Sequence, residues 1–259
     1  MPRADTIRIA QSYIMRGLVG WDWPHVLLAK DCSRTECGWS TGISAAEIHQ
    51  TSAGMKGLGG VRLIKWVVQG NTAVAFMELA IGPRLIPIAE FFRISGGLLK
   101  EVRPNFPTPQ MPGNGLGAAV APKTAKKPTG IPAVNLVDAY LKGLAKGSLA
   151  GVKLGPDVVV TENGEIKGNK LEAVTKHLAE NWLGKVTGVT VQDWVVEGEE
   201  VVAVYVATMR EGRPRWTTQY FRIYDGMIRE TLANFGGGPT PEEAKTPHAP
   251  PPAAAKRKR

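Results

Sequence analysis

The chain has 259 residues, 43% of them hydrophobic, with two cysteines and a formal net charge of +9, enough for two domains of roughly 110 residues, each with its own core. The excess charge is concentrated at Lys123, Lys126 and Lys127 and in the last residues, Lys256-Arg257-Lys258-Arg259, which leaves the regions with folding patterns close to neutral and argues against a nucleic-acid-binding body. No run approaches the roughly 20 apolar residues of a membrane span and no leader-like segment opens the chain, so a cytoplasmic protein is expected, with Cys32 and Cys37 as reduced thiols too few for a zinc site.

From the N-terminus, Ile7, Ala10, Ile14 and Leu18 recur at three-to-four spacing and predict a helix ended by Gly20. A short second helix is predicted over Trp23–Ala29, a short strand through Thr35-Glu36-Cys37-Gly38, and a third helix from about Ala45 to Met55. Strands follow at Val61–Val68, Thr72–Ala80, Ile86–Ile94 and Leu98–Asn105, joined by hairpin turns at Gln69-Gly70-Asn71 and Ser95-Gly96-Gly97. After a Pro/Gly/Lys-rich linker the pattern begins again. Val134, Val137, Leu141 and Leu144 predict a helix closed by Gly147, Lys170–Leu183 predicts another, and strands follow with turns at Glu197-Gly198-Glu199 and Asp225-Gly226.

The two halves match at an offset of about 126–129 residues. Tyr13-Ile14 recurs as Tyr140-Leu141, Thr35-Glu36-Cys37-Gly38 as Thr161-Glu162-Asn163-Gly164, and Trp66-Val67-Val68-x-Gly70 as Trp194-Val195-Val196-x-Gly198. Phe92-Arg93-Ile94 recurs as Phe221-Arg222-Ile223, and the Gly97 to Phe106 block as Gly226 to Phe235. The chain therefore divides into a first domain (1–106), a linker (107–132), a second domain (133–236) and a disordered basic tail (237–259). Helices followed by an antiparallel meander give an α+β class, two tandem cone-shaped barrels with helices packed on a curved sheet.

The order helix, helix, strand, helix, four antiparallel strands resembles the nuclear-transport-factor-2-like superfamily of ketosteroid isomerases, polyketide cyclases and limonene-type epoxide hydrolases. In the isomerases a tyrosine and a carboxylic acid form an oxyanion hole and a second carboxylate moves the proton. By position the resemblance implies Tyr13 for the tyrosine, Glu90 for the acid and Glu36 for the base. The second copy has Tyr140 and Glu162 but Gln219 at the third position. An amide donates hydrogen bonds but gives up no proton, so the first domain is expected to be the active copy.

Burial of a carboxyl in an apolar cone raises its pKa toward the range of acid–base catalysis. Strand alternation puts Glu90 on one face with Phe92 and Ile94; the competing reading is a rim acid paired with Arg84. Glu36 and Glu162 recur, so each reads either as a site acid or as part of a structural turn capping the next helix. Glu78 aligns with Val206, which suggests an acid placed in a specialised pocket, or else an edge position. His49 reads as a surface imidazole. Trp21, Trp23 and Trp39 suit the mouth of a pocket for an aromatic or polycyclic molecule, with Phe92, Tyr140, Glu162 and Gln219 as further binding residues. Strand parity does not assign a face to Glu101, Glu230, Asn105 or Asn234.

The expectation is a cofactor-independent and metal-independent enzyme, of isomerase, epoxide hydrolase/cyclase or lyase type, acting on a small hydrophobic cyclic or aromatic molecule. The alternative is a non-catalytic small-molecule-binding or protein-interaction module. The two halves are expected to pack as an internal pseudo-dimer, or the chain to form a homo-oligomer. Nucleic acid is not expected as a partner; were the basic tail to bind it, affinity would collapse with salt.

Overall fold

In the computed structural model, which describes residues 1–52, 58–107, 118–240 and 242–243, helix α1 (Arg3–Ser12) buries Thr6, Ile9 and Ala10 and runs directly into a π-helical turn, Tyr13–Val19. The widened turn matters because it begins at Tyr13 and seats Gly17 against Trp23, where an added Cβ would lie 2.7 Å from the indole. The helix predicted over Trp23–Ala29 is only a 3-10 turn at Trp23–His25. Pro24 lacks the N–H that a continuing helix would need, and the chain enters strand β1 (Leu28–Glu36) instead.

The Thr-Glu-x-Gly motif is a hairpin. Cys37 and Gly38 have φ of 44° and 87°, Asn163 and Gly164 have 48° and 80°; positive φ at both central residues is what a type I′ turn requires. The turns fold β1 onto β2 (Trp39–Gly42) and β7 (Leu154–Glu162) onto β8 (Glu165–Gly168). Helix α2 (Ala45–Ser52) then precedes strands β3 (Leu58–Gln69), β4 (Thr72–Ile81), β5 (Arg84–Ser95) and β6 (Leu98–Asn105). In the second half α3 (Pro132–Lys146) and α4 (Leu171–Asn181) accompany β9 (Val186–Glu197), β10 (Glu200–Met209), β11 (Arg215–Tyr224) and β12 (Met227–Gly237). Each half is one six-stranded sheet, ordered β2-β1-β6-β5-β4-β3 and β8-β7-β12-β11-β10-β9, antiparallel except where β1 meets β6 and β7 meets β12. These are two tandem cone-like α+β units with the same strand order.

Both faces of each sheet are buried. On β4, Ala73, Ala75, Met77 and Leu79 face the helices with Tyr13 and Phe92, whereas Val74 and Phe76 join Val67, Ala89 and Phe91 in a second apolar layer. That layer meets Val195, Val202, Val204, Tyr220 and Leu232 of the other sheet. The packing has reciprocal detail. Val68 N–H donates to Glu197 Oε2 (2.8 Å) and Val196 N–H to Gln69 Oε1 (3.0 Å), and these are equivalent positions in the repeat, as in an isologous interface. Asn105 donates to Thr218 (2.8 Å), and Asp193 is ion-paired with Arg93 (2.6 Å) and with Arg103. Asp193→Asn is expected to lower the free energy of urea unfolding by about 1–2 kcal/mol, since charge-assisted hydrogen bonds between the sheets are weakened. An unchanged midpoint would show the pairs to be neutral.

Residues 118–125 are tied to the body of the protein at three points, with Ser40 N–H bonded to Ala118 O (2.9 Å), Val120 N–H to Gly38 O (2.8 Å) and Ala125 N–H to Val191 O (2.8 Å). The sequence expectation of a disordered segment from residue 237 is corrected at its start. β12 runs through Gly237, Gly238 lies so close to Trp216 that an added Cβ would be 2.0 Å from the ring, and Arg213 holds Glu243 at 2.7 and 2.8 Å. The terminal Lys-Arg-Lys-Arg lies outside the described residues. No described helix is long and apolar enough to cross a membrane.

Candidate functional site

Inside the first cone, α1 and its π turn supply Tyr13, β1 supplies Arg34 and Glu36, and β5 supplies Glu90. Tyr13 is fully buried, between Trp23 and Phe92 in edge-on contacts at 5.5 and 5.8 Å. Arg34 and Glu90 are also buried; Arg34 is ion-paired with Glu36 and donates to Thr41 Oγ1 at 3.1 Å. The Tyr13 hydroxyl and Glu90 Oε2 have no hydrogen-bond partner among the described residues. Unpaired polar atoms at such depth are costly, and here two of them occur in one electrostatically coupled cluster.

Burial pushes the Glu90 carboxyl up to about 8, opposed by Arg34 and assisted by Glu36. It therefore carries its proton at neutral pH, as a carboxyl must to act as a donor. Burial likewise drives the Tyr13 phenol well above its ordinary range, although Arg34 draws it down; Arg34 faces the hydroxyl without completing a hydrogen bond. Arg34 keeps its charge despite burial because Glu36, Tyr13 and Glu90 surround it. The cluster thus holds two neutral donors, one carboxylate and one fixed cation.

Trp39 pairs with Glu36 across the β1–β2 hairpin, and Trp21 packs half-buried against the apolar cluster around Tyr13. His49 stacks at 5.7 Å on Trp23, its Nε2 buried, so it is not the surface imidazole expected. Glu90 is not a rim acid on Arg84. Glu78 is corrected: it lies on the opposite face of β4, bonded to Arg62 at 2.7 Å and paired across strands with Pro87. Glu101 pairs with Arg93 (3.0 Å) and Arg103 (3.2 Å), Glu230 lies 3.9 Å from Arg222, and Asn105 reaches the other sheet, so none of these enters the cone.

Arg34 was not anticipated. Its signal was present, because Cys32, Arg34 and Glu36 alternate onto one face of β1 and Arg34 stands where the second copy has Val160.

The second cone is differently furnished. Tyr140 packs edge-on against Phe221 at 5.3 Å with its phenol pushed up by burial and by Glu162, while Gln219 accepts a 2.7 Å hydrogen bond from Tyr205, a residue that replaces Met77 of the first copy. Glu162 accepts from Trp182 Nε1 at 2.7 Å and lies 3.1 Å from His177 Nε2; neither carboxylate caps a helix. His177, Trp182 and Arg215 were likewise missed by sequence reasoning. Among the described residues no three His, Cys, Asp or Glu side chains converge as metal ligands.

Solved structures similar in fold match about two fifths of this chain. A protein described as a ketosteroid isomerase from Kribbella flavida DSM 17836 is 19% identical over 43% of this chain and 84% of its own, with a TM-score of 0.37. A protein of unknown function with the nuclear-transport-factor-2-like fold from Burkholderia xenovorans LB400 is 15% identical over 42% and 86%, with a TM-score of 0.37. A limonene-epoxide-hydrolase-like enzyme of M. tuberculosis is 20% identical over 40% and 83%, with a TM-score of 0.35. No functionally curated protein matches in sequence. A model of a domain of unknown function, DUF8021, matches residues 1–106 and 132–235, both halves of the repeat, and the chain belongs to that family.

Proposed function

We infer that the first domain is a cofactor-independent acid–base enzyme acting on a small hydrophobic, cyclic or aromatic molecule within the Tyr13–Arg34–Glu36–Glu90 cluster. What carries the reading is the pairing of a protonated, buried Glu90 with an oxygen that has no partner and a Tyr13 hydroxyl in the same condition. Both can donate to an oxygen on which negative charge develops, while Glu36, held by Arg34, accepts or relays a proton. The carboxyl pair suits isomerisation, epoxide opening and lyase chemistry alike. The rings of Trp23 and Phe92 pack on Tyr13, and Trp66 packs on Phe92, an aromatic surround suited to such a molecule. The buried thiols of Cys32 and Cys37 suit a reducing, cytoplasmic setting.

The test is a thermal-shift screen of wild type and Glu90→Gln against steroids, terpenoid epoxides and polyketide fragments, with product analysis of every hit. The amide keeps shape and polarity but gives up no proton. Conversion by wild type, falling at least about 100-fold in Glu90→Gln with binding retained, supports proton transfer. Ligands bound equally and converted by neither protein would leave a binding module.

A further inference from the structure

At the open end of the second cone lies a cleft of about 550 Å³ walled by Pro107, Glu162, His177, Asn181, Arg215 and Phe235 among others. It adjoins a second cleft of about 330 Å³ that shares Pro107, Arg215 and Phe235. Arg215 thus lines both. Its guanidinium sits over Trp182 at 4.6 Å and Phe235 at 5.0 Å, and those two rings meet edge-on at 5.4 Å, so the stem and plane of the arginine are fixed by aromatic packing.

Arg215 differs from the other arginines of the structure's interior in what it lacks. Arg34 has Glu36, Arg103 has Asp193, and Arg213 has both oxygens of Glu243. Arg215 has no carboxylate within ion-pair distance and no side-chain hydrogen bond among the described residues. Burial lowers the Arg215 pKa, opposed by the nearby Glu162, whose oxygens are turned to Trp182 and His177. The fold does not need an arginine there, since the equivalent position of the first copy is Ile86. A half-buried, pre-oriented guanidinium whose donors open onto a cleft is the ordinary receptor for a planar anion, because its fork matches two carboxylate oxygens at once.

We propose that the second domain binds a small organic carboxylate, its carboxylate on Arg215 and its apolar body against Phe235 and Pro107. His177 sits across the cleft. Asn181 Nδ2 approaches its Nδ1 at 3.2 Å, and its Nε2 lies 3.1 Å from Glu162 without the alignment of a hydrogen bond. This site is separate from the Tyr13–Glu90 cluster, so the two readings stand or fall independently.

The proposal is tested by ¹H–¹⁵N NMR titration of the full chain with benzoate and, as the neutral counterpart of equal shape, benzamide. Benzoate is expected to give saturable shifts at the amides of Asn163, Phe235 and Gly236, to bind at least about tenfold more tightly than benzamide, and to weaken as salt is raised. Arg215→Gln should lose at least about tenfold of the benzoate affinity, and Arg215→Lys, which keeps the charge but not the fork, should fall between. Spectra of the unliganded variants confirm that the fold is kept. Equal binding of benzoate and benzamide, undiminished binding by Arg215→Gln, or no saturable shift with benzoate, phenylacetate or acetate up to tens of millimolar would overturn it.

Discussion

Replacing Arg34 with methionine is expected to destabilise the protein by about 3–5 kcal/mol, the cost of removing one partner from a buried ion pair. Methionine fills much of the same volume, so little of the loss arises from a cavity. The loss arises because Arg34 is the only cation that the described residues place among Glu36, Glu90 and Tyr13. Without it Glu36 is left as an uncompensated charge at a site where its side chain is only 16% exposed, and Glu90 loses the one influence that holds its carboxyl down. A double-mutant cycle separates this account from simple misfit. Arg34→Met combined with Glu36→Gln should recover more than half of the loss, because the orphaned charge is then gone. If the double variant is as unstable as the sum of the two singles, Arg34 serves packing and not charge compensation. Urea unfolding at fixed pH and salt measures all three.

The duplication explains which parts of this architecture were legible in the sequence. Helix periodicity, the hairpins at Gly96-Gly97 and Asp225-Gly226, and the division into two α+β halves all rest on local signals that occur twice, and each appears in the structure near its expected place. The strands β2 and β8 were not seen because four residues carry too little alternation, and the parallel pairing of β1 with β6 is a long-range contact that no local pattern encodes. The Thr-Glu-x-Gly motif joined two facts that looked like alternatives. Its glycine recurs because a type I′ turn demands positive φ, while its glutamate points into a cluster.

Glu78 shows why a break in the repeat can mislead. An acid opposite a valine implies a pocket only if the apolar face of the strand is the pocket face. Here both faces of β4 are buried, one by helices and one by the other sheet, and Val206 belongs to the inter-sheet side with Trp216 and Cys37. Alternation alone does not distinguish two buried faces. The informative breaks were Arg34 for Val160 on the face of Glu36, and Arg215 for Ile86 beside a recurrent phenylalanine. Each places an unmatched cation where the sister domain is apolar, and each marks the cluster peculiar to its copy.

Glu90 makes stability depend on pH in a direction opposite to that of most carboxylates. Its folded-state pKa of about 8 lies above the ordinary value of 4.5. Between those values the unfolded chain has released this proton while the folded chain retains it, so the folded state binds more protons and stability falls as pH rises. Below about pH 4.5 both states are protonated and the effect is absent; above about pH 8 it is fully developed, with a size on the order of 5 kcal/mol and most of it in place by pH 7. Glu90→Gln is neutral at every pH and should remove this component. The variant is therefore expected to gain on wild type steadily between pH 5 and pH 8, by urea unfolding at matched ionic strength, while turnover is lost. Parallel pH profiles for the two proteins would mean that Glu90 ionises in the fold as it does in water, and a donor role for it would fail with that result. A divergence in stability without any converted ligand would leave the buried proton as a feature of the fold, its cost borne for binding or for packing alone.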